Sequence, residues 1–401
     1  MTTAREAAEP PANPPAWMGA AVFEDFGVAP VVNCCGIYTD LGGSILEPSV
    51  WRAASELNGA FVRMTDLMDA AGRRIAGHAR AEAARVTPSC SAALALAVGA
   101  TMTGRRGESW EQLPDTRGLK SRVVISAHHL ANYKYANCAR MPGGILVPAG
   151  SVDHYDLQAV VAEIDADTAC VLVPAHLLDG FDGVARLAEL IEASHARGAP
   201  VVVDAAYMCD PPELLASFAG AGADLTCFSA KYFGGPNSGG FVSGKADLIA
   251  AVEGLDFTRF ESGLYRSFGR AFKMSRYDVA GIALALDAWM ARDHDARWAG
   301  YADRVAAMAR SAGPMPDGVK AEPMLFTMSE ELIPGRQVNA LVLTFAPSTT
   351  LTPGVVAERL AADSPSIASI PEGELLILAV DALTDDQPEW VGARLSRALG
   401  A

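Results

Sequence analysis

Residues 228–240 read Phe-Ser-Ala-Lys-Tyr-Phe-Gly-Gly-Pro-Asn-Ser-Gly-Gly, and upstream of them Val201-Val202-Val203-Asp204 ends an apolar run on a carboxylate. Lys231 sits just past an apolar run and is followed by four glycines within nine residues. Glycine lets a backbone turn sharply or pass close to a bound group. An amine placed there, next in order to a buried strand that ends in aspartate, is a candidate for chemistry. The competing reading is a lysine that reaches out of a glycine-rich turn and an aspartate that merely ends its strand.

Taken together, the two residues suit pyridoxal 5'-phosphate. A half-desolvated lysine amine has a lowered pKa, forms a Schiff base with an aldehyde near neutral pH and later serves as a general base. A carboxylate at a strand end does the complementary work, since it keeps the cofactor's pyridine nitrogen protonated and makes the ring an electron sink. Ser229, two residues before Lys231, is placed to donate to the cofactor phosphate.

The strands around these residues follow an α/β pattern. Val123-Val124-Ile125, Ile145-Leu146-Val147, Cys170 to Pro174 and Pro200 to Asp204 are apolar throughout and alternate with helical segments, one of them over 184–197 and stopped by Gly198. Strands of this kind form a mainly parallel sheet covered on both faces, with its site at the carboxyl ends. His128, His129, His176, Asp204 and Lys231 all fall there. A histidine is more often packed or solvated than catalytic, so each stands as a candidate: His129 to cover a ring face, His176 to meet the ring's phenolic oxygen.

Apolar residues also recur at helical spacing from Pro48 to Ala84, including Phe61, Leu67, Ala70, Ala71 and Ile75. Next, Pro88-Ser89-Cys90-Ser91 opens an Ala/Leu-rich helix. Its unpaired N–H groups, two hydroxyls and helix dipole suit a phosphate, and an ordinary serine cap accounts for it equally. Arg266, Arg270, Lys273 and Arg276 form a basic cluster fit for a substrate carboxylate, unless they answer Glu261 and Asp278. The expected layout is a lead-in over 1–26, a segment shared with the small domain over 27–50, a cofactor-binding large domain over 51–295 and a small α+β domain over 296–401.

Composition narrows the classes. A 401-residue chain that is 50% hydrophobic buries a large core, while a net charge of -15 repels nucleic acid backbones. Seven cysteines, an odd number with no zinc spacing, imply neither a disulfide framework nor a structural metal. No apolar stretch is long enough for a membrane span, and residues 1–16 lack the pattern of a signal peptide. A cytoplasmic protein acting on a small molecule is expected.

The chain resembles the fold type I (aspartate aminotransferase-like) pyridoxal-phosphate enzymes grouped with bacterial selenocysteine synthase and D-glucosaminate-6-phosphate ammonia lyase. The matching stretches are Val32-Asn33 through Thr39 to Ser44, Phe61-Val62 through Gly72, Val86-Thr87 through Leu96, His129 to Tyr133, Val203 to Ala206, Lys231 to Pro236 and Gly269-Arg270 through Met274. The likeness runs from about 27 to 295, and more faintly through Glu374 to Ile377. It implies that Lys231 carries the cofactor and Asp204 meets the ring nitrogen. It places Ser89, Cys90, Ser91, Ala206 and Ser229 around the cofactor, and brings Thr39 and Arg270 towards substrate at the boundary of a homodimer. Two departures stand out: Ser89-Cys90 where relatives have Gly and Ala, and Ala127-His128 where a basic residue and glycine often precede the histidine. These changes point to a substrate other than that lyase's sugar acid, and the acidic charge does not suit a selenocysteine synthase's tRNA.

The activity expected is that of a lyase. Lys231 removes the α-proton of a small amino acid or amino-sugar acid, a β-substituent leaves with a proton from His129 or His128, and a keto acid and ammonia result. Racemisation or epimerisation, retro-aldol cleavage and transamination share the same carbanion and remain open, as does a binding protein without catalysis.

Overall fold

The computed structural model describes residues 21–175, 180–328, 332–333 and 335–400. His176 lies outside the described residues. In chain order the strands are β1 (Val31–Asn33), β2 (Ala83–Thr87), β3 (Arg122–Ser126), β4 (Ile145–Ala149), β5 (Thr168–Pro174), β6 (Val201–Asp204) and β7 (Leu225–Ser229). They continue with β8 (Gly240–Gly244), β9 (Val319–Met324), β10 (Ala340–Phe345), β11 (Ser366–Ala368), β12 (Ile370–Glu372) and β13 (Leu375–Ala379). The chain forms two compact units, one built chiefly from Ser44–Ala291 and the other from residues up to Gly43 together with those from Arg292 onward.

The larger unit is built on a seven-stranded sheet in the order β2-β8-β7-β6-β5-β3-β4. β4, β3, β5, β6 and β7 pair in parallel, whereas β8 runs antiparallel to both β7 and β2. β2 therefore points the same way as β7, and six of the seven strands deliver their carboxyl ends to one edge.

Successive strand residues point to opposite faces, so a sheet covered on both sides needs apolar residues at every position. Val123, Ile125, Leu172, Val202 and Cys227 pack on one face with the helices Cys90–Thr103 and Ala246–Leu255. Val124, Val171, Val173, Val201 and Val203 pack on the other with Met64–Ala79 and Arg276–Ala291. In the helix Cys90–Thr103 only Ser91 and Thr101 escape full burial, which accounts for its uniformly small and apolar sequence.

The helical spacing read over 48–84 resolves into two helices, Pro48–Glu56 and Met64–Ala79, with β2 beginning at Ala83. Ala60 adopts an extended backbone that ends the first segment. Phe61, taken from spacing as part of one apolar face, is instead 97% exposed, its ring 5.7 Å from the Arg276 guanidinium carbon. Ala70 is exposed as well, while Ala71 and Ile75 do face the core.

The smaller unit has a four-stranded antiparallel sheet, β12-β13-β10-β9, and the parallel pair β1-β11. Leu341, Leu343, Leu376 and Leu378 pack there against the helices His294–Ala312 and Gln387–Leu399. Thr39 sits in this unit, on the exposed 3₁₀ turn Thr39–Leu41.

The helix Met64–Ala79 rides directly on β2. A Cβ added at Gly72 would lie 2.3 Å from the Ala84 carbonyl oxygen, whereas one at Gly77 meets nothing within 4 Å. Gly72→Ala is expected to cost about 2–3 kcal/mol through overpacking, and Gly77→Ala to stabilise by up to about 1 kcal/mol through helix propensity. Thermal unfolding of the two variants checks the contrast; equal melting temperatures would contradict this packing.

Candidate active site

The carboxyl edge of the large sheet collects most of the candidate residues, and strand register explains how. Asp204 ends β6 opposite Cys227 of the neighbouring β7. Ser229 ends β7 opposite Gly240, which on its other side pairs with Thr87 at the end of β2. Lys231 follows on the 3₁₀ turn Ala230–Phe233, four residues beyond Asp204's register partner. Two chain segments far apart in sequence thus bring an amine and a carboxylate to adjacent strand ends.

Gly240 permits a close approach at this edge. A Cβ there would lie 2.6 Å from the Phe228 carbonyl oxygen and 2.8 Å from the Cys90 nitrogen. The first turn of the helix Cys90–Thr103 can therefore sit against the ends of β7 and β8. Ser89 caps that helix, its Oγ accepting from the Ala92 N–H at 3.0 Å. Thr87 Oγ1 donates to the Ser89 carbonyl at 2.9 Å. The serine-cap reading of Ser89 is thus correct, and it leaves the helix N-terminus pointing to the same edge.

Asp204 is 3% exposed and accepts hydrogen bonds from several described residues. The Tyr133 hydroxyl donates to Oδ2 at 2.5 Å, while the Cys90 thiol at 3.3 Å and the Ala206 N–H at 3.1 Å donate to Oδ1. Ala206 is tied in turn to β7, since its carbonyl accepts from the Ser229 N–H at 2.9 Å. Burial, reinforced by the Asp204 charge, pushes both the Tyr133 phenol and the Cys90 thiol well above their ordinary pKa, so each stays protonated and donates. Cys227 is raised for the same reasons.

Lys231 is half-buried, with Nζ 5.0 Å from the centre of the Tyr232 ring, which meets Tyr207 edge-on. Gly234 closes the lysine's turn in the left-handed region at φ 75°, and the Gly235 N–H returns to the Ala230 carbonyl at 2.8 Å. The Ser44 hydroxyl donates to the Gly235 carbonyl at 2.5 Å, pinning the turn from outside.

His128 and His129 stand on the single helical turn Ala127–Ala131 that follows β3, not on the strand itself. His129 is 2% exposed and stacks on Tyr155, with ring centres 5.0 Å apart and planes 11° from parallel. His128 points elsewhere: its Nδ1 lies 2.8 Å from the Val152 carbonyl, so Nδ1 carries the proton and Nε2 is left as the basic nitrogen in the neutral ring. Arg270 pairs with Glu261 at 2.5 Å, the alternative that the sequence had left open, and its guanidinium carbon lies 5.9 Å from the Phe260 ring centre. Sequence reasoning missed Tyr133 as a partner of Asp204, although it stands in a stretch that carried the family likeness.

No family model matches the chain. Among curated proteins it is 28% identical over 269 residues to D-glucosaminate-6-phosphate ammonia lyase of Salmonella typhimurium, covering 66% of this chain and 69% of the relative. It is 29% identical over 390 residues to 5'-C-glycyluridine monooxygenase-decarboxylase of a Streptomyces species, covering 94% and 92%. An L-seryl-tRNA(Sec) selenium transferase of Moorella thermoacetica is 24% identical, with 92% and 82% covered. Among solved structures, that of a D-glucosaminate-6-phosphate ammonia-lyase superposes with a TM-score of 0.81 at 23% identity, covering 96% of this chain and 99% of the other. Sphingomonas wittichii serine palmitoyltransferase superposes at 0.52 with 15% identity, covering 92% and 86%.

Cys138 is half-buried, whereas the other six cysteines are buried. Iodoacetamide at neutral pH is expected to label Cys138 first, slowly because burial raises its thiol too, and to reach Cys90 and Cys227 only on unfolding. Peptide mapping after timed labelling checks the order; Cys90 reacting as fast as Cys138 would contradict the burial described.

Proposed function

For a chain with the architecture of the fold type I pyridoxal-phosphate enzymes and homologues that include D-glucosaminate-6-phosphate ammonia lyase, we propose a pyridoxal-phosphate-dependent lyase. It acts on a small amino acid or amino-sugar acid and releases a keto acid and ammonia. The observation that carries this reading is the placement, at the ends of the neighbouring strands β6 and β7, of a buried, hydrogen-bonded Asp204 and of Lys231 on the glycine-bounded turn that follows β7.

The residues present fit the cofactor. Lys231 would hold it covalently and Asp204 would face its ring nitrogen. Ser91 and Ser229, with the N–H groups that open the helix after Ser89, would receive its phosphate, while the Cys90 thiol is turned to Asp204. When bound, pyridoxal phosphate supplies an electron sink for negative charge that develops at the substrate's α-carbon.

The remaining chemistry belongs to the protein. The Lys231 amine, half-buried on its turn beside Tyr232, is the group that takes the α-proton. His129, braced by Tyr155, covers the ring face. His128, its Nδ1 committed to Val152, has Nε2 to accept a proton and deliver it to the departing β-substituent. Thr39 and Arg270 remain candidates for substrate contact, and Arg270 must then exchange its pairing with Glu261 for a substrate carboxylate.

We further infer a homodimer working in the cytoplasm. Supporting the homodimer are the exposed side chains of Ile45, Trp51 and Phe61 on the larger unit, at 88%, 56% and 97%, a concentration of apolar surface within 17 residues. The net charge of -15 disfavours a nucleic acid partner.

A second reading, oxidative decarboxylation of an amino acid, is favoured by one observation: the Streptomyces monooxygenase-decarboxylase aligns with 94% of this chain. An amino acid and amino-sugar-acid panel assayed for ammonia, keto acid, oxygen uptake and carbon dioxide separates the two. The lyase reading expects ammonia and keto acid in equal amounts without oxygen uptake, and a loss of about a thousandfold or more in Lys231→Ala. Oxygen consumed in step with carbon dioxide released would replace it with the second reading.

A further inference from the structure

Among the hydrogen bonds on Asp204, those from Tyr133 and Cys90 come from side chains that the elimination chemistry does not itself use. Tyr133 lies 71 residues away in sequence and Cys90 lies 114 away, yet the three side chains meet in a region where Asp204, Tyr133 and Cys90 are 3%, 4% and 8% exposed. Apolar residues of the same size would fill that space equally well. What the phenol and the thiol add is a donor to each carboxylate oxygen.

Hydrogen bonds to a carboxylate favour its ionised form and fix its plane. Both donors are held protonated by their burial and by Asp204 itself, so their direction does not reverse near neutral pH. Other titratable groups surround the site. Cys138, Cys227 and Tyr232 all feel the Asp204 charge and are raised, first by burial, so they stay neutral at pH 7. Lys231 stands on the neighbouring turn.

We propose that Tyr133 and Cys90 are positioning residues that keep Asp204 ionised and oriented to hold positive charge on the cofactor's ring nitrogen. The inference rests on the pyridoxal-phosphate reading of the site. At position 90, where Gly or Ala would offer no donor, this chain carries a thiol that donates to the aspartate. The sign follows from the geometry: each donor favours the ionised carboxylate, so removing one lets Asp204 take up a proton at higher pH.

The test loads wild-type protein, Tyr133→Phe, Cys90→Ala and Cys90→Ser with pyridoxal phosphate, and follows the bound cofactor's absorption against pH alongside kcat and KM. In Tyr133→Phe the acid-side spectral transition is expected to rise by about one pH unit, the size of losing one hydrogen bond to a charged group. Its kcat is expected to fall about tenfold with KM changed by less than about twofold. Cys90→Ala should shift the transition in the same direction by less, and Cys90→Ser, which restores a donor, should reverse that shift. Cofactor that binds wild type while the transitions of Tyr133→Phe and Cys90→Ala coincide with it overturns this inference alone. Should Tyr133→Phe fail to fold, Cys90→Ala and Cys90→Ser decide, and identical transitions in those two overturn it. Wild-type protein that takes up no cofactor overturns both this inference and the reading beneath it.

Discussion

A buried carboxylate is the constraint on which the larger unit's functional edge depends. Asp204 has left water at the end of a fully buried strand, a placement costly for an ion unless hydrogen bonds replace its hydration. Described donors include the Ala206 backbone immediately downstream, the helix that opens at Cys90, and Tyr133 from the segment after β3. Each of those segments is thereby tied to the end of β6. A site that must stabilise positive charge on a bound ring is built in the same way, around an anion whose geometry is set before the ligand arrives.

The sheet order makes that arrangement possible. With β8 inserted antiparallel between β2 and β7, the start of the helix Cys90–Thr103 and the turn bearing Lys231 emerge on one edge, two strands apart. Gly240 on the intervening strand then allows the helix start to touch the β7–β8 backbone. In the proposed reading, a phosphate-sized anion near the helix N-terminus and a cationic ring near Asp204 would be served by elements held by the same few ladder hydrogen bonds. The glycines after Lys231 serve the same economy of space, since Gly235 and Gly239 have Cβ positions within 2.9 Å of the Ala230 methyl.

Much of this was legible from residue order. Uniformly apolar strands with intervening helices announced a two-sided parallel sheet, because only a strand covered on both faces is apolar at every position. The strand-end positions of Asp204 and Lys231 followed from the same pattern. What was not legible depends on contacts between distant segments. Nothing in the local sequence around Tyr133 says that its hydroxyl meets an aspartate 71 residues on, and the thiol of Cys90 reads locally as a small apolar filler. Phe61 was misread because periodicity counts apolar residues without knowing that the helix has already ended near Gly59. The pairing of Arg270 with Glu261 was visible only as one of two options, since charge proximity in sequence does not choose a rotamer.

In the function proposed, the ε-amine of Lys231 would hold pyridoxal phosphate covalently, with Asp204 as the anion at the ring nitrogen. Borohydride treatment of the loaded protein followed by peptide mass mapping tests this most directly. The account predicts one pyridoxyl phosphate group per chain, on the peptide that contains Lys231, and none in Lys231→Ala. A group fixed on any other lysine, or an unchanged mass after loading and reduction, would contradict it.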